Sequence, residues 1–396
     1  MITSVSPLVS SRLRVLTAAI LLAAPLAAGC GSKESSGAVQ KPKPTLMQAP
    51  FGRTADDKLV DMITLRNGNG IEMTVLTYGG IIKTLRTADR TGALDDIVLG
   101  FDDLKSYIDK SPYFGTLIGR YGNRIAKGRF TLDGTTYTLA TNNGANHLHG
   151  GNKGWDKAVW GFETFNDAKG VGVILTHTSP DGDEGYPGTV KATVTYTLTD
   201  ENQLIVDYQA TTDKATVINL TQHSYFNLVG TKANDILGHE LMLNAAQYTP
   251  VDAGLIPTGE IANVEGTPFD FRKPTPIGAR IDEKNEQLQR GPGYDHNWVL
   301  TRNGAGLAEA AIVTEPLTGR TMRIDTTEPA IQFYAGNFLS EKEPLVGKGG
   351  RAYPRRSGFC LETQHYPDSP NHANFPSTVL RPGETYTSKT VFTFGK

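Results

Sequence analysis

Two side chains in this sequence are well suited to proton transfer, an acid near the C-terminus and a histidine far upstream. Glu362 lies in segment 359–364 (FCLETQ), where apolar and amide side chains surround one carboxylate. An ionisable group in such surroundings is costly unless its charge is used. His223 lies in segment 221–227 (TQHSYFN), between polar and aromatic residues typical of sugar-binding surfaces. A histidine alone is more often structural, but together the two segments predict acid–base chemistry.

Two upstream segments carry side chains suited to hydroxyl groups or a metal. Segment 118–125 (IGRYGNRI) offers Asn123 and Arg124 as hydrogen-bond donors, and the alternative is a structural turn with a surface arginine. Segment 146–151 (NHLHGG) holds His147 and His149, which would point the same way on a strand. That spacing suits zinc, with His223 or Glu362 as a further ligand, but the sequence has no second tight cluster of ligand residues. Ligand binding by at least one of these histidines is therefore favoured over a metal site.

Three further residues each have a functional and a structural interpretation. Asp270, in segment 267–272 (TPFDFR), is either a ligand-binding carboxylate or a turn residue paired with Arg272. Gln332 lies in a strand-like segment, where it either binds hydroxyl groups or is a satisfied core amide. Cys360 is interpreted as a small buried hydrophobe beside Glu362 rather than as a nucleophile. His296, in YDHNW, is expected to be fixed structurally by its neighbours.

Period-two alternation predicts the elements that position these residues. Residues 190–198 alternate apolar and polar side chains, and residues 199–202 predict a hairpin turn into a strand at 204–212. Helical patterning is sparse, with candidates at 102–107 and 279–288. Many strands without a βαβ rhythm predict an all-β antiparallel sandwich, with residues 51–396 as one domain. Further strands are predicted at 62–66, 71–77, 80–86, 171–178, 216–221, 240–244, 320–326, 331–336 and 385–394.

The N-terminal region predicts export. Arg12 and Arg14 precede a short apolar run at 15–28, which ends in small residues before Cys30. We expect residues 1–29 to be a lipoprotein signal peptide and Cys30 to carry lipid, the alternative being ordinary signal cleavage. Residues 30–50 then form a flexible tether, rich in Ser, Gly, Lys and Pro. The expected location is periplasmic or at the cell surface, with membrane contact only through the lipid on Cys30.

Overall charge gives no support for a nucleic-acid partner. The formal net charge is −2 at pH 7, and the sequence has no stripe of Lys and Arg residues. Nucleic acid is therefore excluded as an expected partner.

Seven segments, in order along residues 50 to 396, resemble the aldose 1-epimerase (galactose mutarotase) family. The resemblance implies an all-β fold, a large twisted antiparallel β-sandwich of the galactose mutarotase-like supersandwich type. It implies an isomerase without cofactor or metal that acts on a free monosaccharide. The expected substrates are aldohexoses, such as galactose or glucose, or aldopentoses. The segments are 122–125 (GNRI), 148–151 (LHGG), 222–228 (QHSYFNL), 268–270 (PFD), 295–297 (DHN), 332–334 (QFY) and 358–364 (GFCLETQ).

The resemblance also implies a role for each site residue. Glu362 would be the general base and His223 the general acid that open and reclose the sugar ring. Glu362 is then expected to be ionised and His223 charged near neutral pH, because opposite charges in one cleft stabilise each other. The residues implied to hold sugar hydroxyls are Asn123, Arg124, His149, Ser224, Tyr225, Asp270 and Gln332.

Three alternatives remain open from the sequence. A glycoside hydrolase would use Asp270 and Glu362 as its carboxylate pair. A non-catalytic sugar-binding lipoprotein would bind the sugar on the same fold without converting it. A hexose-phosphate epimerase would need an additional cationic site, for which the sequence shows no clear cluster.

Overall fold

Alternating apolar and polar residues form the strands of a large antiparallel sheet. The computed structural model describes residues 43–232 and 235–396. In the strand Val190–Leu198, Val190, Ala192 and Val194 are buried while Lys191 is exposed, as the alternation predicts. The predicted turn at 199–202 is present, and the Asn202 N–H donates to the Thr199 carbonyl at 3.3 Å.

The described chain contains two short α-helices, α1 (Leu104–Lys110) and α2 (Glu286–Arg290). Its strands are β1 (Thr45–Arg53), β2 (Leu59–Arg66), β3 (Glu72–Leu76), β4 (Ile82–Ala88), β5 (Leu94–Asp96), β6 (Thr116–Ile118), β7 (Arg124–Ile125), β8 (Arg129–Leu132), β9 (Thr135–Thr138), β10 (His147–Leu148), β11 (Gly161–Asp167), β12 (Gly170–Ser179), β13 (Val190–Leu198), β14 (Gln203–Thr212), β15 (Thr216–Val217), β16 (Thr221–His223), β17 (Glu240–Leu243), β18 (Gln247–Thr249), β19 (Ala262–Asn263), β20 (Thr275–Pro276), β21 (Asp295–Val299), β22 (Ala308–Thr314), β23 (Thr321–Thr326), β24 (Ala330–Tyr334), β25 (Leu345–Val346), β26 (Ala352–Tyr353), β27 (Cys360–Gln364), β28 (Val379–Leu380) and β29 (Tyr386–Gly395).

Three sheets surround the main core. The largest has nine strands in the order β11-β12-β13-β14-β29-β23-β22-β17-β20. Two five-stranded sheets have the orders β1-β2-β3-β4-β5 and β19-β18-β21-β24-β27. One buried cluster joins them, with Met73, Tyr196 and Phe333 contributed by different sheets. Burying each such side chain stabilises the fold by about 1.5–3 kcal/mol, so the apolar strand faces hold the sheets together as the predicted all-β sandwich.

Strand alternation also separates the core from a polar face on the sheet that ends at β27. Phe333 and Leu361 point into the core. Gln332 and Glu362, their neighbours in sequence, therefore lie on the opposite face. They are register partners, because β24 pairs with β27 in the antiparallel sense. This pairing brings two of the predicted site residues side by side.

Several predicted boundaries differ from the structure. Strand β1 begins at Thr45 and pairs with β2, so the predicted tether to residue 50 extends too far into the domain. The strand predicted at 216–221 is split into β15 and β16, which pair with β28 and β6. The helix predicted at 279–288 is only α2. Asn285 caps it, since its side chain accepts hydrogen bonds from the first-turn N–H groups.

The predicted signal peptide, Cys30 and most of the tether lie outside the described residues. Among the residues that are described, none forms a helix with the length and apolar character needed to cross a membrane.

Candidate active site

A cavity of about 550 Å³ opens beside the polar face of β24 and β27. Its size falls within the range of about 300–1,000 Å³ common for small-molecule sites. The side chains around it come from strand ends and from the loops at 112–113, 143–146 and 253–255. The cavity is lined by Pro112, Tyr113, Asn123, Arg124, Asn143, Gly144, Ala145, Asn146, Leu148, His149, His223, Tyr225, Ala253, Gly254, Leu255, Arg290, Asp295, Tyr334, Phe338 and Glu362.

Glu362 is a buried carboxylate with one oxygen unpaired. Its side chain is 3% exposed, and its Oε2 has no hydrogen-bond partner in the protein. Burial raises the pKa of Glu362 well above its usual range, the charge of Asp295 raises it further, and Arg124 opposes both effects. A buried acceptor left unpaired is costly, so Oε2 is suited to a hydroxyl group supplied by a ligand.

His223 faces Glu362 across the cavity floor. The Nε2 atom of His223 is 3.6 Å from Oε1 of Glu362. Its other ring nitrogen, Nδ1, is 3.5 Å from the Cys360 sulfur. Burial lowers the pKa of His223 to about 4 and raises the pKa of the Cys360 thiol well above its usual value. A thiol held in this protonated form is a poor nucleophile, which supports the interpretation of Cys360 as a buried hydrophobe.

The pKa shifts of this pair differ from the sequence-based expectation of two opposite charges. Burial disfavours the charged form of both groups, lowering the pKa of His223 and raising that of Glu362. Burial by itself therefore favours the neutral carboxyl and the neutral imidazole. The expectation considered only the attraction between the charges and left out the cost of removing them from water.

Asn123 and His149 lie next to each other in the cavity lining and share a hydrogen bond. They flank strands β7 and β10, and the pairing of these two strands brings the two residues together. The backbone N–H of Asn123 donates to Nδ1 of His149 at 3.2 Å. Because Nδ1 accepts, the neutral ring carries its proton on Nε2, and His149 is a donor. Burial keeps it neutral, since the pKa of His149 is lowered well below its usual value.

The two histidines of the His-x-His segment do not point the same way. His149 has a φ of +50°, so strand alternation ends before it. His147 is buried in a structural role, with Nδ1 at 2.7 Å from the Ala140 carbonyl and Nε2 at 2.6 Å from the Tyr186 hydroxyl. The pair considered from the sequence as ligands on one strand face is therefore separated, and only His149 reaches the cavity.

One group of side chains has the composition of a metal site. The ligating atoms of His149, His223 and Glu362 lie within 4.8 Å of one another. A metal-binding histidine normally donates its second ring N–H to an acceptor. His149 does the opposite, accepting at Nδ1 and leaving a proton on the nitrogen that would have to bind the metal. The group is better suited to donating hydrogen bonds to a ligand than to coordinating an ion.

Arg124 and Asp295 form a charged pair at the cavity wall. Their closest side-chain atoms, Nη1 and Oδ2, are 3.9 Å apart, and each side chain is 9% exposed. Arg124 also donates from Nε to Oδ1 of Asn143 at 3.1 Å. Gln332 donates from Nε2 to Oδ1 of Asp295 at 2.7 Å. Gln332 thus lies behind Asp295 and is not part of the cavity lining.

The structure does not place Asp270 in the cavity. Its carboxylate makes a two-point contact with Arg272 at 2.9 and 2.7 Å, and Asp270 is not among the cavity-lining residues. Asp295 lines the cavity instead. The alternation of side chains along β21 is the signal that could have identified Asp295. Asp295 and Asn297 lie on the same face of that strand, and Asn297 is the register partner of Gln332. The expectation for His296 is consistent with the structure, as its ring packs in the core 4.7 Å from Phe269.

Two other predicted residues lie around His223. Tyr225 lines the cavity, and its hydroxyl donates to the Pro112 carbonyl at 2.9 Å. Ser224 is buried and does not line the cavity, and its Oγ has no partner. Tyr113, which no motif in the sequence singles out, lines the cavity beside both histidines.

Comparisons with known proteins agree on one family. A sequence profile of aldose 1-epimerase matches residues 61–393. The galactose mutarotase of Bos taurus is 47% identical over 324 residues, which cover 82% of this chain and 91% of that protein. The aldose 1-epimerase of Escherichia coli (strain K12) is 39% identical over 335 residues, covering 84% and 94% of the two chains.

Solved structures of similar proteins share the fold. An aldose epimerase homologue from C. elegans has a TM-score of 0.76 and 32% identity, covering 84% of this chain and 98% of that one. The galactose 1-epimerase of Lactobacillus acidophilus NCFM has a TM-score of 0.78 and 29% identity, covering 89% and 98%.

Proposed function

The chain belongs to the aldose 1-epimerase family and interconverts the α and β anomers of aldoses, and we propose that Glu362 and His223 carry this reaction. Glu362 is the general base and His223 the general acid. The observation that carries the assignment is their contact in the cavity, with the imidazole nitrogen 3.6 Å from the carboxylate and the second carboxylate oxygen unpaired. The proposed substrates are free aldohexoses and aldopentoses, galactose and glucose among them.

The proton balance of ring opening fits this pair. Glu362 takes the proton of the anomeric hydroxyl while His223 gives a proton to the ring oxygen. The bond between C1 and the ring oxygen breaks, and C1 becomes an aldehyde carbon. Rotation about the C1–C2 bond then presents the other carbonyl face, and closure returns both protons. General acid and general base each contribute about 10²–10⁴-fold to such a reaction.

The pair holds one proton in each of its two forms. Opening starts from the ionised pair, and closure starts from the neutral pair that burial favours. A bound sugar stabilises the ionised form, because its anomeric hydroxyl donates to the unpaired oxygen of Glu362. We infer that bound sugar reduces the free-energy difference between the two forms, which lowers the cost of ring opening.

The remaining cavity residues hold the sugar. Asn123, Arg124, His149 and Tyr225 are proposed to contact its hydroxyl groups, and Asp295 takes the place first given to Asp270. Gln332 acts by fixing the Asp295 carboxylate, with which it shares a 2.7 Å hydrogen bond. Ser224 supports the His223 strand end, where its N–H donates to the Gln222 side chain at 2.8 Å.

Polarimetry on freshly dissolved α-D-galactose or α-D-glucose tests these roles. We expect the wild-type protein to speed the approach to anomeric equilibrium and the Glu362→Gln and His223→Asn variants to lose nearly all of that effect. Glu201→Gln, in an exposed turn, is the matched control and keeps wild-type rates. Two folded variants that equilibrate sugar as fast as wild type would show that the roles are assigned wrongly.

A glycoside hydrolase on this fold is not favoured. The pair considered from the sequence was Asp270 and Glu362, and Asp270 lies outside the cavity lining. Methyl glycosides discriminate the two activities, because they lack the anomeric hydroxyl whose proton the base must take. We expect the purified protein to leave methyl galactosides intact.

We also propose that the enzyme is exported and anchored by lipid on Cys30. The basic start, short apolar run and small residues before Cys30 support this proposal. Mass spectrometry of the mature N-terminal peptide from a bacterial membrane fraction tests it. A lipid-modified Cys30 is expected in the full chain and no modification in Cys30→Ser; an unmodified N-terminus with soluble enzyme would contradict the anchor.

A further inference from the structure

A short turn between α1 and β6 directs one aromatic ring into the core and the next into the cavity. Phe114 is fully buried and packs edge-on against Tyr225, with ring centroids 4.8 Å apart. Tyr113 precedes it with a φ of +69°, a conformation that residues other than glycine rarely adopt. Such conformations cost about 1–3 kcal/mol and persist where the surroundings fix them, often at functional sites.

Three hydrogen bonds fix this turn to the segment that carries His223. The Tyr225 hydroxyl donates to the Pro112 carbonyl at 2.9 Å. The Gly115 N–H donates to the His223 carbonyl at 3.0 Å. The side chain of Gln222 donates to the Gly115 carbonyl at 2.7 Å. The position of the turn relative to His223 is therefore determined by residues on both sides of that histidine.

The ring of Tyr113 contacts both cavity histidines. Its centroid is 4.7 Å from that of His149 and 5.8 Å from that of His223. The two imidazoles are 5.1 Å apart and almost perpendicular, at 84°. The Tyr225 ring also packs on His223, with centroids 5.2 Å apart. Tyr113 differs from it by contacting both imidazoles, from an element separate from those that carry them.

The hydrogen bonds of these imidazoles, taken alone, would hold them loosely. His149 is held at Nδ1 by the N–H of Asn123. His223 has at Nδ1 only the Cys360 sulfur, at 3.5 Å, and a thiol is a weak hydrogen-bonding group. A contact at one ring nitrogen leaves the tilt of the ring free to vary, whereas packing against an aromatic face restricts it.

We propose that Tyr113 is a positioning residue of the epimerase reaction, whose ring fixes the orientation of His149 and His223. The inference rests on the proposed function of His223 as general acid. The ring performs this role and the hydroxyl is not required. Tilting of His223 away from the ring oxygen slows proton transfer, and a misplacement of about 1 Å can cost about 100-fold in rate.

Three variants test the proposal by polarimetry on α-D-galactose. In Tyr113→Leu, kcat falls about 10- to 100-fold while KM stays within about threefold, because sugar still binds but the acid is misaligned. Tyr113→Phe keeps the ring and stays within about threefold of wild type in both constants. The matched control is Tyr137→Leu, which removes a tyrosine ring stacked on Phe130 outside the cavity lining.

Several outcomes would overturn the positioning role. Equal loss in Tyr113→Phe and Tyr113→Leu would assign the effect to the hydroxyl. A raised KM with unchanged kcat would make Tyr113 a substrate contact only, and wild-type constants in Tyr113→Leu would remove it from the mechanism. Thermal unfolding checks each variant, and Tyr113→Met replaces Tyr113→Leu if the latter does not fold. Wild-type protein without mutarotase activity would instead refute the proposed function.

Discussion

The choice between two carboxylates gives a sharp test of the site. We predict that Asp295→Asn lowers kcat/KM strongly, whereas Asp270→Asn does not. Asp295 lines the cavity beside Arg124, and Asp270 pairs with Arg272 outside the cavity lining. Asparagine keeps the shape of each side chain and removes only its charge.

The expected magnitude follows from the contacts of Asp295. A hydrogen bond to a charged group contributes about 1.5–3 kcal/mol. Losing the proposed one between this carboxylate and a sugar hydroxyl would therefore cost about 10- to 150-fold in kcat/KM, at about 1.4 kcal/mol per tenfold. The variant also leaves Arg124, whose side chain is 9% exposed, without its carboxylate partner. We therefore expect a lower free energy of unfolding in addition.

The pH profile provides a second readout of Asp295→Asn. The charge of Asp295 is one cause of the raised pKa of Glu362. Removing it lowers the pKa of Glu362. Because burial favours the neutral pair, loss of the Glu362 proton sets the alkaline limb of kcat/KM, and this limb moves to lower pH. Removing the positive charge in Arg124→Gln moves the same limb to higher pH, because Arg124 lowers that pKa.

Polarimetry over a range of α-D-galactose concentrations and pH values measures these effects. For Asp270→Asn we expect kcat/KM within about twofold of wild type and a stability loss of about 0–1 kcal/mol, since its ion pair is partly exposed. A strong loss of activity in Asp270→Asn, with wild-type activity in Asp295→Asn, would refute the placement of the sugar-binding carboxylate.

Three further predictions concern packing, pH and metal. A Cβ at Gly150 would lie 1.9 Å from the Gly119 carbonyl oxygen, whereas Gly134 has a similar positive φ and open space around it. In urea unfolding, Gly150→Ala should therefore lower the free energy of unfolding by at least about 2 kcal/mol more than Gly134→Ala does. Equal losses in the two variants would contradict this. His239 is buried, and burial lowers its pKa to about 4. Between about pH 6.5 and 4 the unfolded chain therefore binds a proton that the folded chain does not, and stability falls with decreasing pH by about 1.4 kcal/mol per pH unit. His239→Gln should flatten that slope, and an unchanged slope would show that His239 does not contribute to it. Dialysis against EDTA should leave activity unchanged because His149 is a donor, and loss of activity reversed by zinc would show a metal requirement.

Much of the fold follows from local alternation in the sequence. The strand Val190–Leu198 and its turn into β14 are readable because one face is buried and the other polar. The meeting of Glu362 and His223 follows from the family resemblance rather than from spacing. No local pattern reports that β16 lies beside β27, since that contact depends on the packing of distant strands.

The differences between the structure and the sequence-based expectations have identifiable physical causes. Asp270 and Asp295 both precede or follow aromatic residues, and only the pairing of β21 with β24 places Asp295 on the cavity side. The positive φ of His149 is a backbone property that a His-x-His spacing does not reveal. The pKa shifts of Glu362 and His223 depend on burial, which requires the assembled cavity.

Exchange spectroscopy by proton NMR is the most direct test of the central claim, that Glu362 and His223 move protons at the anomeric hydroxyl and ring oxygen. The sample contains galactose at anomeric equilibrium and methyl galactoside as an internal control. We expect enzyme-dependent exchange between the α and β anomeric protons of galactose and none for the methyl galactoside. We also expect Glu362→Gln and His223→Asn each to lower the exchange rate by about 10²–10⁴-fold. Exchange at the wild-type rate in both folded variants would contradict this claim.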